Sequence, residues 1–390
     1  MSEPPVASLF TPDFEVNPYP IYDRLRSDTP VFQVGDTNLY AIARYDDVLA
    51  ALKAPDVFSS VVGELELSGQ MTTPVMLFSD PPMHTRLRKL VAKAFTPRVV
   101  ETQRESIQAR CDELIGAMCS EDRVDLVEKL AYPLPVQVIA TMLGVQDGDM
   151  ARFKYWSDTI IENIGLVLFQ GKVEGVAEVN KEFEAYFSER IEALRKSPED
   201  HLLSELVHVE TEDGMLTQAD LLMFARLLLV AGNETTTGLI VSSARVLDRY
   251  PEMGEQLRAD PKLIPTFIEE ALRYYSPFQM TVRRTMRDVD VCGVTIPKHK
   301  RVLIMLGSAN RDPAQFERAP DFVIDRDPNP HVAFGFGIHF CIGAHLARLE
   351  GQLAAETLLG TVQGLRVTDD VIKGVLRFGG PPKLNVEFQR

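Results

Sequence analysis

The amino-acid sequence predicts a mainly α fold with a smaller β-rich part, in a single domain over residues 1–390. Three observations carry that expectation. From residue 82 onward, apolar residues recur at helical spacing through most of the chain. Strand-like segments gather instead at about residues 28–43, 288–306 and 365–388. No repeat, low-complexity tract or linker separates one stretch from another. A composition of 45% hydrophobic and 25% charged residues is ordinary for a globular protein and ample for a large core.

In chain order, the Pro-rich residues 1–20 read as an irregular arm and 19–26 as a short helix. Residues 30–34 and 39–43, either side of Gly35-Asp36, read as a hairpin, followed by a helix at 45–53. Residues 55–80 scatter Gly, Ser, Thr and Pro among apolar residues without a period. They read as a long loop, a type that is usually functional. Helices follow near 82–95, 99–118, 127–143, 149–164, 173–196, 217–249, 251–258 and 262–275. Pro133 and Pro135 should split or kink the third of these. Residues 166–171 read as a turn between two long helices. Strands at 288–296 and 301–306, an irregular Pro-punctuated stretch at 309–333, a helix at 342–360 and short strands near 365–388 complete the chain.

Several function classes are set aside early. A net charge of −15 argues against nucleic acid and anionic membrane as partners. The most apolar stretch, residues 221–231, is too short to span a bilayer and contains Arg226. The first residues lack a basic segment followed by an apolar core, so no signal peptide is expected. Of the four cysteines, Cys111 and Cys119 would lie roughly 12 Å apart along one helix, too far for a disulfide. No C-x-x-C pair suggests zinc, and a reducing cytoplasm is the default location.

The chemistry centres on residues 334–343, Phe-Gly-Phe-Gly-Ile-His-Phe-Cys-Ile-Gly. One cysteine, Cys341, sits among three glycines and three phenylalanines at the start of a helical pattern. Backbone N–H groups and the positive end of a helix bias such a thiol toward thiolate. Glycines allow the backbone to approach a bulky flat object, and phenylalanines keep water from the sulfur. A shielded thiolate of this kind suits the axial position of haem iron. A buried cysteine beside a Gly-rich turn is the plainer explanation of one such residue. The full spacing F-G-x-G-x-H-x-C-x-G resembles the haem-binding loop of the cytochrome P-450 superfamily.

That resemblance covers nearly the whole chain. It implies the cytochrome P-450 fold, in which a long central helix and the Cys-ligand helix sandwich haem b (heme iron). It implies Cys341 as the metal ligand, with Phe334, Gly335, His339 and Gly343 around the cofactor. Ala231-Gly232-Asn233-Glu234-Thr235-Thr236 interrupts a run of good helix formers; glycine there costs ~1 kcal/mol relative to alanine. The stretch looks like the family's oxygen-activation motif. Ala231 and Gly232 would leave space beside the haem, while Glu234 and Thr235 would hold water and deliver protons to dioxygen. Glu270 and Arg273 match the family's structural E-x-x-R pair, with Arg326 or a neighbour as third partner.

His84 and Arg88 stack at i, i+4, which is unfavourable unless an anion lies between them. The haem propionates would supply it, and the resemblance adds contacts from His339 and from Arg283 or its neighbour Arg284; the following Asp288 and Gly293-Val294 match the family's spacing from Arg283, which favours that residue. Arg86, Lys89 and Lys93 share another face of that helix and form a candidate docking patch for an acidic electron donor. The expected pocket is mainly apolar: Val75, Met76, Leu77, Phe78, Leu168, Leu228, Ala231, Phe278, Met280, Val282 and Phe378. Gln279, Thr281 and Arg377 are its polar exceptions, placed to orient a ligand.

The function implied is a cytoplasmic, monomeric haem-thiolate monooxygenase. It would use O2 and two electrons from NAD(P)H, through ferredoxin reductase and ferredoxin, to hydroxylate or epoxidise a lipophile such as a terpenoid, steroid, fatty acid or polyketide. Two alternatives stand beside it. A peroxide-using or rearranging haem-thiolate enzyme has less need of the Glu234–Thr235 pair, and a non-catalytic haem sensor needs no such pair at all.

Overall fold

The central element is a helix of 32 residues, Gln218–Arg249, about 48 Å long at 1.5 Å per residue. Its start is fixed by a reciprocal capping box: Asp220 N donates to Thr217 Oγ1 at 3.1 Å and Thr217 N to Asp220 Oδ2 at 2.9 Å. Around it pack the helices Pro133–Met142, Ile264–Tyr275 and Ala344–Thr361, and together they bury the largest hydrophobic core. The computed structural model describes residues 11, 14, 16–35, 37–61, 76–170, 175–211, 214–371 and 383–389, with only the backbone at 161–170. No helix among the described residues is long and apolar enough to cross a membrane.

The β-rich part contains strands β1 (Val31–Gln33), β2 (Leu39–Ile42), β3 (Phe58–Ser59), β4 (Arg123–Asp125), β5 (Glu210–Thr211), β6 (Gly214–Met215), β7 (Thr281–Thr285), β8 (Val289–Val291), β9 (Val294–Ile296), β10 (Arg301–Ile304), β11 (Gly364–Val371) and β12 (Lys383–Gln389). The main sheet runs β1-β2-β10-β7-β3, with β2 and β10 parallel and its other pairs antiparallel. A second sheet runs β11-β12-β4, and β5-β6 and β8-β9 are hairpins. Two smaller cores lie against the main sheet. This fold is the one expected: mainly helical, with the strands in a lesser part.

The differences are local and have local causes. The helix expected over 99–118 divides into Pro97–Glu101 and Arg104–Met118. Thr102 donates its hydroxyl to the Val99 carbonyl at 2.7 Å, and such side-chain bonds compete with helix continuation. The helix Met150–Gln170 runs through the expected turn at 166–170, because Gly165 alone costs only ~1 kcal/mol and the residues after it are compatible with helix. The helix Leu202–His208 and the strands β3 to β7 were not anticipated. Most are too short to show a period. In β7 the adjacent arginines 283 and 284 mask the alternation, although Arg283 is buried. The part of the expected long loop at 62–75 and the arm before residue 11 lie outside the described residues.

Candidate active site

The loop carrying Cys341 is held open by backbone bonds rather than side chains. Cys341 N donates to Phe334 O at 2.9 Å and Phe340 N to Gly337 O at 3.1 Å. Gly337 has φ +71°, and a Cβ there would stand 2.8 Å from the Leu52 carbonyl oxygen, so only glycine fits. Gly343 precedes the helix Ala344–Thr361, and its N–H is directed at the cysteine sulfur. Cys341 is exposed on one side and walled by protein on the other. Burial on the walled side pushes its pKa up; the Gly343 N–H, then Arg88 and Arg348, pull it down and do not fully offset the rise. The thiolate bias expected from the helix terminus alone is thus outweighed by desolvation. A cation bound at the sulfur would reverse that balance.

Behind the loop stands a clamp absent from the sequence-based expectations. Arg348 makes two bonds to Glu269, at 2.6 and 2.8 Å, and its guanidinium lies 4.6 Å from the Phe334 ring centroid. His331 contacts the same carboxylate at 3.1 Å. Burial alone would raise the pKa of Glu269, but Arg348 and His331 together hold it at about 2. The signal was available in the adjacent acids Glu269 and Glu270, which a helix turns about 100° apart so that each serves a different neighbour.

Beside the sulfur, four basic side chains converge. His84 is 2% exposed, and neither ring nitrogen finds a hydrogen-bond partner among the described residues. Its ring centroid is 4.2 Å from that of His339, whose Nε2 is 2.9 Å from Ser60 Oγ. Arg88 donates to Phe340 O at 2.6 Å. Arg283 is 7% exposed and donates to Thr281 Oγ1 at 3.1 Å and Val282 O at 2.8 Å. Burial, then Arg88 and Arg283, depress the pKa of His84 despite the opposing pull of Asp80. Burial, then Arg283, His84 and Arg88, depress His339 to about 3, and burial depresses Arg283 to about 10. The carboxylate acting on this group is Asp80, itself occupied by Ser59 Oγ and the Ser60 N–H. Arg283, not Arg284, therefore shares the space with His84 and His339. Two arginines with two imidazoles whose charged forms burial disfavours, one of them without a partner among the described residues, make a donor-rich receptor for an anionic group. Together with the adjacent exposed thiol, it fits a planar iron-bearing group carrying carboxylates.

On the central helix, Ala231 is exposed although it lies in mid-helix, while Glu234 and Thr235 are half-buried. Thr235 Oγ1 donates to Ala231 O at 2.9 Å. The helix is continuous here rather than opened. Gly232 also departs from expectation. A Cβ on it would stand 2.8 Å from Ile139 Cδ1, so its missing side chain admits the helix Pro133–Met142 rather than an oxygen molecule. One residue on, Asn233 is 1% exposed and donates to Ser157 Oγ at 2.8 Å, tying the same back face to the helix Met150–Gln170.

Glu270 and Arg273 are both fully buried and bonded twice at 2.8 Å. Arg326 Nε donates to both Glu270 oxygens, at 3.0 and 3.1 Å, and is the third partner; Asn329 and the Val323 N–H also donate to that carboxylate. Arg273 donates to the carbonyls of Asn310, Ala319 and Asp321, which pins the irregular segment before the cysteine loop.

The expected docking patch loses one member. Lys89 and Lys93 are exposed, but Arg86 is half-buried, 3.6 Å from Asp220 and donating to Met215 O at 3.3 Å. The residues of the expected pocket fall in several settings. Val75, Arg377 and Phe378 lie outside the described residues, as does the side chain of Leu168. Leu77 is exposed, Phe78 is half-buried, and Met76 and Leu228 belong to the main core. Phe278, Met280 and Val282 pack against the two sheet cores. Gln279 is fully used: its Nε2 donates to Tyr275 O and Ser276 O at 2.7 Å, and Oε1 accepts from Tyr22 at 3.1 Å. Thr281 is engaged by Arg283. Glu350 was missed entirely. It is 1% exposed, its Oε2 finds no partner among the described residues, and burial raises its pKa to about 8.

Comparison with known proteins places this geometry. Residues 22–363 match the family model described as Cytochrome P450. The chain is 40% identical to cytochrome P450 monooxygenase PikC of Streptomyces venezuelae over 372 residues, covering 92% of this chain and 87% of that protein. It is 38% identical to vitamin D(3) 25-hydroxylase of Pseudonocardia autotrophica, covering 89% and 86% of the two chains. Among solved structures, cytochrome P450 CYP109Q5 from Chondromyces apiculatus superposes with a TM-score of 0.88 at 36% identity, covering 97% of each chain.

Proposed function

This chain belongs to the cytochrome P450 family and is a cytochrome P450 monooxygenase, and we propose that it oxidises a lipophilic small molecule with O2 and two electrons from NAD(P)H, passed through a ferredoxin reductase and a ferredoxin. The observation that carries the reading is the exposed Cys341 thiol beside the uncompensated cluster of His84, Arg88, Arg283 and His339. When bound, haem supplies the activation of dioxygen and the transfer of one oxygen atom.

Every other part falls to the chain. Cys341 holds the iron, with Gly343 donating toward its sulfur and Phe334, backed by Arg348, shielding it. His84, Arg88, Arg283 and His339 would receive the haem carboxylates. Thr235 spends its hydroxyl proton on the Ala231 carbonyl. Its oxygen is then left to accept a hydrogen bond from a water, which Glu234 connects to solvent. Lys89 and Lys93, beside the cysteine face, attract the acidic electron donor. A terpenoid, steroid, fatty acid or polyketide is the proposed substrate class; the relative named vitamin D(3) 25-hydroxylase supports a lipophile of that size.

The test is product formed per NAD(P)H consumed by purified holoenzyme with a ferredoxin, its reductase and a panel of such lipophiles. Thr235→Ala should keep consuming NAD(P)H while releasing more of the reduced oxygen as hydrogen peroxide. Positioned proton transfer is worth ~10²–10⁴-fold, and water substitution should hold the loss near the lower end. Cys341→Ala should lose the thiolate-type spectrum of the reduced carbon monoxide complex; retention of that spectrum would sink the assignment. Lys89→Glu with Lys93→Glu should slow reduction at low salt only, and an unchanged rate there would return both lysines to an ordinary solvated face.

A further inference from the structure

Strand β3 hangs on β7, where Phe58 pairs with Thr285 and Ser59 with Arg284. The pairing sets the next residue, Ser60, beside the cluster of His84, Arg283 and His339. Ser59 and Ser60 are each 1% exposed, and neither was among the residues expected at the site. Ser59 Oγ donates to Asp80 Oδ2 and accepts from the Val61 N–H at 2.9 Å. Ser60 N donates to Asp80 Oδ1 at 2.9 Å. Both oxygens of Asp80 are thereby engaged. The Ser60 hydroxyl is left for His339, 2.9 Å from Nε2, and has no other partner among the described residues. The result is a buried line from Asp80 through Ser60 to His339, with a hydroxyl interposed between carboxylate and imidazole.

That hydroxyl decides what the other ring nitrogen can do. An imidazole nitrogen must carry a proton to hold an anion, and the partner of one nitrogen selects the state of the other. A carboxylate at Nε2 could only accept. In a neutral ring it would keep the proton at Nε2 and turn a lone pair on Nδ1 toward the anion. A hydroxyl both donates and accepts. It satisfies Nε2 by donating to a neutral ring or by accepting from a charged one, and Nδ1 keeps its proton in both states. The ring is also held in place, because His339 lies against His84 with centroids 4.2 Å apart while Ser60 anchors its far nitrogen.

We propose that Ser60 is a positioning residue for the haem: its hydroxyl occupies Nε2 of His339 and keeps a proton on Nδ1, as a donor to a haem carboxylate, while Asp80 holds Ser60 in place. The inference rests on the haem-binding reading above and deepens it. Outer partners that fix an imidazole in this way are worth about 10–100-fold in affinity at metal sites. A carboxylate is a softer demand than a metal, which puts the expected effect near the lower end.

The first test is nitrogen NMR of the holoenzyme with isotope-labelled histidine, in the reduced carbonyl complex, which is diamagnetic. The ring signal that disappears in His339→Phe identifies the residue. Nδ1 should carry a proton in the parent enzyme. A bare Nδ1 overturns the proposal, and that measurement needs no variant at Ser60 to fold. The second test is haem transfer to apomyoglobin. Ser60→Ala should speed it about tenfold. In a His339→Phe background the same substitution should change little, since the ring it positions is gone. An unchanged rate in Ser60→Ala overturns the proposal. So does an equal acceleration in both backgrounds, which would make Ser60 a general part of the strand. A parent enzyme without a thiolate-type carbonyl spectrum overturns the haem-binding reading itself, and the proposal with it.

Discussion

Two buried polar clusters flank the cysteine loop, and they are built on opposite principles. Around Glu270, every charge has a partner within the protein: Arg273 and Arg326 on one carboxylate, and three carbonyls on Arg273. Around His84, four basic groups lie together with Asp80 nearby, and one imidazole has no partner among the described residues. Burial is nearly complete for Glu270, Arg273 and His84 alike, at 0%, 0% and 2% exposed. What differs is closure. A closed network answers its own desolvation and serves architecture. An open network gives up stability until an anionic ligand that accepts its hydrogen bonds closes it.

The largest expected effect breaks the closed cluster. Arg273→Ala leaves the Glu270 carboxylate with one arginine fewer and frees three carbonyls, and removal of one partner from a buried pair costs about 3–5 kcal/mol. Against a total stability of roughly 5–15 kcal/mol, that leaves little folded protein. Arg273→Lys should rescue only in part, because a single ammonium cannot reproduce the planar fork. Chemical denaturation of the holoprotein decides it. A loss below about 1 kcal/mol would mean that the network is not what holds the segment before the cysteine loop.

The two clusters also differed in how legibly the sequence announced them. Glu270 and Arg273 lie three residues apart on one helix and His84 and Arg88 four apart on another, so local spacing exposed the core of both. Arg283 came from a strand whose pattern its own charge concealed; the structure sets it, rather than Arg284, beside His84 and His339. Glu269–Arg348 escaped notice because its partners are distant in sequence and joined only by packing of two helices. The helices were legible because their apolar period is long. Strands β3 to β6, of two or three residues, offered no period to read. Apolar side chains that line a cavity and those that fill a core look identical in sequence: Leu228 is in the main core, while Met280 and Val282 are half-buried against a sheet core. Gly232 was misread for a similar reason: a missing side chain marks a close approach but does not say of what.

Glu350 sharpens the comparison as a single buried acid with an open oxygen. Burial raises its pKa from the ordinary 4.5 to about 8. Between those values the native state keeps a proton that the unfolded chain releases. Stability should therefore fall as pH rises across that window, by about 1.4 kcal/mol per pH unit at most, and level off above it. Glu350→Gln keeps the shape and removes the titration. Its advantage over the parent should be small near pH 5 and grow toward pH 8, reaching a few kcal/mol. Denaturation curves at both pH values are the check. An advantage that does not change with pH would mean that the carboxyl is ionised in place, beside Cys111 and with some further donor at its open oxygen.

The smallest effect tests the open cluster, and its sign matters more than its size. His84 is buried without a hydrogen bond, and an unsatisfied buried polar group costs about 1–3 kcal/mol. His84→Leu removes that cost and one of the basic groups that depress its neighbours. The haem-free protein should therefore become more stable, by about 1 kcal/mol. The haem-bound protein should become less stable, because a hydrogen bond to a charged group, worth about 1.5–3 kcal/mol, is lost from the bound state alone. That corresponds to roughly ten- to hundredfold weaker retention of haem, read as transfer to an acceptor such as apomyoglobin. No architectural residue behaves this way. Arg273→Ala would lower both forms together, since its partners belong to the fold with or without a ligand. If His84→Leu destabilises the haem-free protein as much as the haem-bound one, the cluster is a second piece of architecture, and the distinction between closed and open networks in this molecule fails.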